Sequence, residues 1–212
     1  MTSTPVRLVL WRHGESVWNR ERRCQGQADP PLSARGLAQA RAAARRLATL
    51  RPTSIVSSDL SRALDGARAL SEIADLPVAT DKRLREVGKG SWEGLTFAEI
   101  ERRHPEEFHA WRRGRDVAGS NGERLTYAIA RATEAAYEAV EVQPPGAVVI
   151  ASTHGGLIRL LVAALVGLPR WRTLARLDNA ASAVLAHKPP DGWTLLGYNT
   201  LPEDGLAPEG PS

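Results

Sequence analysis

Apolar and polar positions along the chain alternate with two periods, and the alternation predicts strand, helix, strand, helix in turn. Val6 to Trp11 is an apolar, β-rich run that reads as a first buried strand. Pro30-Pro31 opens a turn, and Leu32-Ser33 supplies an N-cap for a helix from Ala34 to Leu50. Leu37, Ala40, Ala44, Leu47 and Ala48 would share the inner face of that helix. Ile55-Val56-Ser57 reads as a short strand. Asp59 or Ser58 then caps a helix running through Leu70 to about Ala74, and Pro77-Val78-Ala79 forms another short strand. This order and spacing predict a parallel sheet covered by helices.

From Leu84 to Gly94 glycine and charge replace the periodic pattern, which predicts an ordered loop. Thr96 to Glu101 and Glu106 to Arg113 read as short helices broken at Pro105, followed by a loop from Asp116 to Gly122. Glu123 to Val142 is a long helix ended by Pro144-Pro145-Gly146, and Ala147 to Ser152 is a strand. Leu157 to Val166 is an apolar helix stopped by Gly167 and Pro169. Ala183 to His187 and Trp193 to Tyr198 read as strands around a Pro-Pro-Asp-Gly turn. The expected architecture is a single α/β domain over residues 1–201, with a small helical cap at about 95–122 and a polar tail at 202–212.

The length of 212 residues suits one large α/β domain. No apolar run reaches the roughly 18 residues of a membrane span, and the first residues lack the charged-then-apolar order of a signal peptide. The single cysteine, Cys24, excludes an internal disulfide and fits a reducing compartment, so the expectation is a soluble cytoplasmic protein without a membrane partner. Lys+Arg 28 against Asp+Glu 24 gives a net charge of +4, carried mostly by arginine. Arginine forks match phosphate and carboxylate oxygens, which points to an anionic ligand. The bland alternative is compositional bias in a chain rich in alanine and leucine, with most arginines solvated. The basic residues are spread among acids and no aromatics interleave them, which argues against nucleic acid.

Candidate chemistry gathers at strand ends. In an open parallel sheet, ligands bind beyond the carboxyl ends of the strands. The first strand ends at Arg12-His13, the second is followed by Arg62, and the strand from Ala147 ends at His154. If these strands are neighbours, two arginines and two histidines converge on one pocket. Gly14, Gly155 and Gly156 would let backbone amides approach a ligand, and the helix that starts nearby would favour an anion. Such a pocket suits a phosphoryl group, with Arg12 and Arg62 donating paired hydrogen bonds to its oxygens. Positive neighbours keep His13 neutral and nucleophilic. Its attack on phosphorus would give a phosphohistidine and split the reaction into two steps. A carboxylic acid must then protonate the leaving alkoxide, and Glu86 is the candidate; Glu93 and Glu15 compete with it by proximity in sequence.

These residues resemble a known family. Arg12-His13-Gly14-Glu15 with Asn19, Arg62 in SSDLSRA, Glu86 in LREVGKGSWEG and His154 in STHGG are similar to the histidine phosphatase superfamily, also called phosphoglycerate-mutase-like. The match runs in order from about Leu8 to Asn179. The resemblance implies a three-layer α/β/α fold with a mostly parallel sheet. It implies that His13 is phosphorylated, that Arg12, Arg62 and His154 grip the phosphoryl oxygens, and that Glu86 is the proton donor. It further implies that Asn19 and the Gln25-Gly26 turn lie against the transferred phosphate or its ester, that no metal or organic cofactor takes part, and that a homodimer is compatible with the family; Gly155, from its place after His154, is a further candidate for the substrate contact. One position departs: the family usually has threonine four residues after the helix arginine, and this chain has Gly66. A local effect on packing or helix stability is expected there.

The phosphatase and mutase branches share the phosphoenzyme. Mutases resemble one another in an Arg-His-Tyr run after this glutamate and a long insertion before the second histidine. Here Val87-Gly88-Lys89 follows, and the interval to His154 is short. A reduced cap leaves the phosphoenzyme open to water. The expectation is a metal-independent phosphatase acting on small phosphomonoesters, sugar phosphates or phosphoglycerate derivatives. CQGQAD, IVSSDLSRA and THGGLI look most like that group, including glucosyl-3-phosphoglycerate phosphatases. The alternatives are a cofactor-dependent phosphoglycerate mutase and a non-catalytic phospho-ligand binding protein. In the cap, Phe97, Phe108 and Trp111 are candidates for an apolar pocket wall, and Arg112, Arg113, Arg115 and Arg124 for anion contacts; the competing reading is that the aromatics fasten the cap.

Other signals fall away. Cys24 has Pro30 six residues on, where a cysteine phosphatase needs arginine, and reads as a packed thiol. His104 and His109 are five apart, off the i, i+4 spacing of a helical zinc pair. His187 sits in a late strand as an ordinary packing residue, Ser57-Ser58 lacks the elbow of a serine hydrolase, and no phosphate-binding Gly-Lys-Ser/Thr loop is present.

Overall fold

The computed structural model describes residues 4–117 and 119–200. Six strands form one sheet in the order β3-β2-β4-β1-β5-β6. They are β1 (Val6–Arg12), β2 (Ser54–Ser57), β3 (Val78–Thr80), β4 (Val148–Thr153), β5 (Ser182–Lys188) and β6 (Gly192–Thr200). The first four are parallel; β5 and β6 run antiparallel at one side. The central strands are buried on both faces, which explains their near-continuous apolar runs.

The helices are α1 (Val17–Arg20), α2 (Ala34–Ala48), α3 (Ser61–Ala74), α4 (Phe97–Arg103), α5 (Pro105–Arg112), α6 (Leu125–Glu141) and α7 (Gly155–Leu165). Alternate residues of β1 face opposite layers. Leu8 and Leu10 join Val149, Leu185 and the inner faces of α6 and α7, whereas Val9 and Trp11 join Ile150, Ala43, Leu47 and Leu70 on the α2 and α3 side. The result is the expected three-layer α/β/α arrangement.

Several local expectations need correction. Leu37 is 40% exposed, because the alanine-rich inner stripe of α2 is rotated toward Gly36, Gln39, Ala40, Ala43, Ala44 and Leu47. Neither Asp59 nor Ser58 occupies the N-cap of α3: Leu60 does, with no side-chain cap of its own. The Asp29 carboxylate caps that helix from elsewhere in the chain, accepting from the Ser61 amide at 3.0 Å. Helix α6 begins two residues later than expected and α7 two residues earlier. The one-turn helix α1 was not foreseen; Ser16 and Asn19 close a capping box around it. Pro105 starts α5 rather than merely breaking α4. The tail from 202 lies outside the described residues.

The expected departure at Gly66 has a packing cause. A Cβ there would lie 2.9 Å from the Trp11 ring, so glycine lets α3 close over a fully buried indole.

Candidate active site

Strand order decides the site. β4 lies between β1 and β2, so the carboxyl ends carrying His13, His154 and Ser58 are adjacent. The rings of His13 and His154 are 5.2 Å apart between centroids. Both are buried, as is Arg62 at the start of α3.

The proton positions follow from the partners. His13 Nδ1 lies 2.7 Å from the Gly14 carbonyl, which can only accept, so Nδ1 carries the proton and Nε2 keeps its lone pair. Burial, then Arg62, then Arg12, hold His13 well below its ordinary value of 6.5, so the ring is neutral. His154 is depressed well below 6.5 as well, by burial first and then by Arg62 and His13. Its Nε2 lies 2.9 Å from the Ser58 hydroxyl. That hydroxyl also accepts from the Leu60 amide, and when it donates its own proton to Nε2 the His154 proton sits on Nδ1. Nδ1 of His154 and Nε of Arg62 are buried nitrogens with no hydrogen-bond partner among the described residues, and both suit an anion.

The arginines are held by backbone carbonyls. Arg62 donates to the Ala28 carbonyl at 2.7 Å and the Gly26 carbonyl at 2.8 Å. Burial brings it down to about 10, still cationic at neutral pH. Arg12 donates to the Leu177 carbonyl, and Gly155 packs against its side chain. The 26–28 turn is fixed in its own right by Glu93, whose carboxylate accepts from the amides of Gln27 (2.9 Å), Ala28 (2.8 Å) and Lys89 (2.8 Å). That commitment makes Glu93 a brace. Glu15 is a brace too: it accepts from the Ser33 hydroxyl at 2.6 Å.

Glu86 differs from both. Its two oxygens accept from the Val87 amide and, at the head of α7, from the Gly156 amide, each at 2.9 Å. A Cβ on residue 156 would meet that carboxylate at 2.6 Å, which only glycine avoids. The helix terminus expected to favour an anion therefore also anchors this carboxyl group. Gly14 is also required by packing, because a Cβ there would strike the Gly36 carbonyl of α2 at 2.2 Å.

Of the other candidates, Asn19 accepts from Asn179 at 3.1 Å, and Asn179 reaches the His13 carbonyl at 3.4 Å. Gln25 accepts from the Ser16 hydroxyl at 2.9 Å. The cap aromatics pack on one another: Phe97 and Phe108 stack on Trp111, and Trp111 meets the buried Trp92 edge-on. This is the fastening role rather than an open apolar wall. Arg124 lies 3.8 Å from Asp116, Arg112 sits over Phe108, and Arg113 and Arg115 are exposed. Cys24 packs beside Trp92 and Leu95, and burial pushes its thiol up to about 12. The roles of Ser58 and Asn179 have no counterpart in the sequence reading, and Glu93 enters it only as a rival of Glu86. The only signal for Ser58 was a small polar residue at a strand end, as for His13.

A family model for the histidine phosphatase superfamily (branch 1) matches residues 8–201. A glucosyl-3-phosphoglycerate phosphatase of Mycolicibacterium vanbaalenii is 43% identical over 195 residues, 88% of this chain and 87% of that protein. A probable phosphoglycerate mutase of Yersinia enterocolitica is 34% identical over 90% of this chain and 91% of that protein. The solved structure of a mycobacterial glucosyl-3-phosphoglycerate phosphatase with inorganic phosphate is 39% identical, with a TM-score of 0.84, covering 92% of this chain and 97% of that one. The chain belongs to the histidine phosphatase superfamily.

Proposed function

We propose that this member of the histidine phosphatase superfamily is a phosphoric monoester hydrolase that works through a phosphohistidine at His13. One observation carries the reading: a neutral imidazole with Nδ1 tied to the Gly14 carbonyl, so that Nε2 is free, beside a second histidine and within the field of Arg62 and Arg12. Nε2 attacks phosphorus, the N–P bond forms and the ester P–O bond breaks. Glu86 gives its proton to the departing alkoxide. Water then attacks phosphorus, Glu86 takes its proton, and the N–P bond breaks to free phosphate and His13. Arg12, Arg62 and the Nδ1–H of His154 hold the equatorial oxygens throughout. The guanidiniums neutralise the phosphoryl charge, so the scheme needs no metal.

The relatives support a substrate among sugar phosphates and phosphoglycerate derivatives. Glucosyl-3-phosphoglycerate is the first to try, because the relatives that carry that name are more similar to this chain than the mutase is. The test is a phosphate-release screen over sugar phosphates, phosphoglycerates, phosphoamino acids and nucleotides, with and without EDTA. Release abolished by His13→Ala and indifferent to EDTA is expected. Phosphate shuffling between phosphoglycerates in the presence of a bisphosphate primer, without release, would make the enzyme a mutase instead. Binding without turnover would make it a phospho-ligand receptor.

A further inference from the structure

Glu86 sits between two 3-10 turns (Lys82–Leu84 and Gly90–Trp92), on a stretch with no helix or strand to fix it. A proton donor must nevertheless be held within a few tenths of an ångström of its target. The backbone of this stretch is gripped from outside. Thr153 at the end of β4 donates to the Leu84 carbonyl at 2.7 Å. Arg131 of α6 donates to the Arg83 carbonyl at 2.5 Å and to the Glu86 carbonyl at 3.1 Å. The same guanidinium is forked onto Glu123, at 2.7 and 2.8 Å. Glu123 in turn accepts from the Gly88 amide at 3.1 Å, and its own amide donates to the Gly88 carbonyl at 2.9 Å. The two side chains are each 18% exposed.

We infer that the Arg131–Glu123 ion pair is a positioning device for the proton donor: it clamps the chain on both sides of Glu86 and so sets where the carboxyl group meets the leaving oxygen. The inference rests on the reading of Glu86 as that donor. A surface ion pair in this place would merely fasten α6. This one spends its hydrogen bonds on the carbonyls of residues 83 and 86 and the amide of residue 88, the peptide groups that flank the donor. Arg131 also lies near enough to help depress His154.

The test separates alkyl from activated aryl esters. An alkyl phosphate such as 3-phosphoglycerate leaves as a basic alkoxide and needs the proton; 4-nitrophenyl phosphate leaves without one. In the full-length enzyme, Arg131→Met should lower kcat/KM about tenfold or more on the alkyl ester and less than about threefold on the aryl ester, a fraction of the roughly 10²–10⁴-fold that general acid catalysis supplies. Glu123→Gln should move the same ratio in the same direction by less. In a Glu86→Gln background, Arg131→Met should leave the ratio where Glu86→Gln alone puts it. Equal losses on both esters, or additive effects in the double variant, would overturn the inference. If Glu86→Gln itself lowers both esters alike, the assignment of Glu86 as donor fails and the clamp loses its object. Should Arg131→Met not fold, Arg131→Lys, which keeps the charge but loses the fork, is read by the same ratio.

Discussion

Acid should unfold this protein through its two site histidines before its carboxylates titrate. His13 and His154 are depressed in the folded chain, by burial first and by the guanidiniums second, whereas in the unfolded chain both regain the ordinary value of 6.5. Below that value the unfolded state binds protons the folded state refuses. The stability tied to the two rings is therefore present above about pH 6.5 and lost as pH falls toward the folded-state values. Each such ring steepens the profile toward a limiting slope of about 1.4 kcal/mol per pH unit where it is charged in the unfolded chain and neutral in the folded one. The loss accumulates through that window, against the roughly 5–15 kcal/mol that holds a domain together. Asp59, Asp81 and Glu123 are lowered from 3.8, 3.8 and 4.5, so their contribution is lost in a lower window. Urea unfolding between pH 5 and 7.5, in buffer free of phosphate, measures the slope directly. His154→Gln should halve it. A flat profile between pH 6.5 and 5 would mean that the folded rings titrate normally, and the neutral nucleophile would go with it.

Three further outcomes follow from single contacts. Gly66→Ala places a methyl group 2.9 Å from the Trp11 ring, and overpacking of about 1–3 kcal/mol should outweigh the ~0.5–1 kcal/mol gained in helix propensity. The melting temperature should fall by several degrees, and an increase would show that the indole moves aside freely. Ser58→Ala removes the 2.9 Å partner of His154 Nε2 and leaves a buried ring nitrogen unpaired, at a cost of about 1–3 kcal/mol in urea unfolding together with a lower turnover; wild-type values in both would refute the role given to this contact. Glu93→Ala frees the amides of Gln27, Ala28 and Lys89, so hydrogen exchange should quicken at those three while the amides of β1 and β4 keep their protection.

The architecture was legible because it rests on local pattern. The strand runs at Val6 and Ala147, the alanine-rich stripe after Ser33 and the glycines after His154 each state their element within about ten residues, and short parallel strands with helical crossovers leave few topologies. Errors fell where a distant residue decides the outcome. Leu37 lies on a helix whose weak alanine pattern does not fix its rotation, and the cap of α3 comes from Asp29, on a different segment. The histidines and Arg62 could be found from strand-end position. The roles of Ser58, Asn179 and Glu93 could not, because a serine at a strand end or a glutamate in a glycine-rich loop looks the same whether it binds a ring, an amide or water.

Those illegible contacts are what make the site rigid. A buried guanidinium such as Arg62 would be costly if it waited for a ligand to neutralise it. Here the carbonyls of Gly26 and Ala28 receive two of its donors, Asp29 stands at 3.6 Å, and Glu93 fixes the turn that presents those carbonyls. The cation is thus held in place before any phosphate arrives, and its Nε is a buried donor without a partner among the described residues. Donors fixed in advance need no reorganisation as charge develops on phosphorus, which is where electrostatic catalysis gains most. Glu86 follows the same logic: its oxygens are fixed by Gly156 and Val87, and its backbone by Arg131. Arg62 and Glu86 are therefore each placed by contacts that also tie a loop to a helix, so residues that look merely structural set the geometry on which the proposed reaction depends.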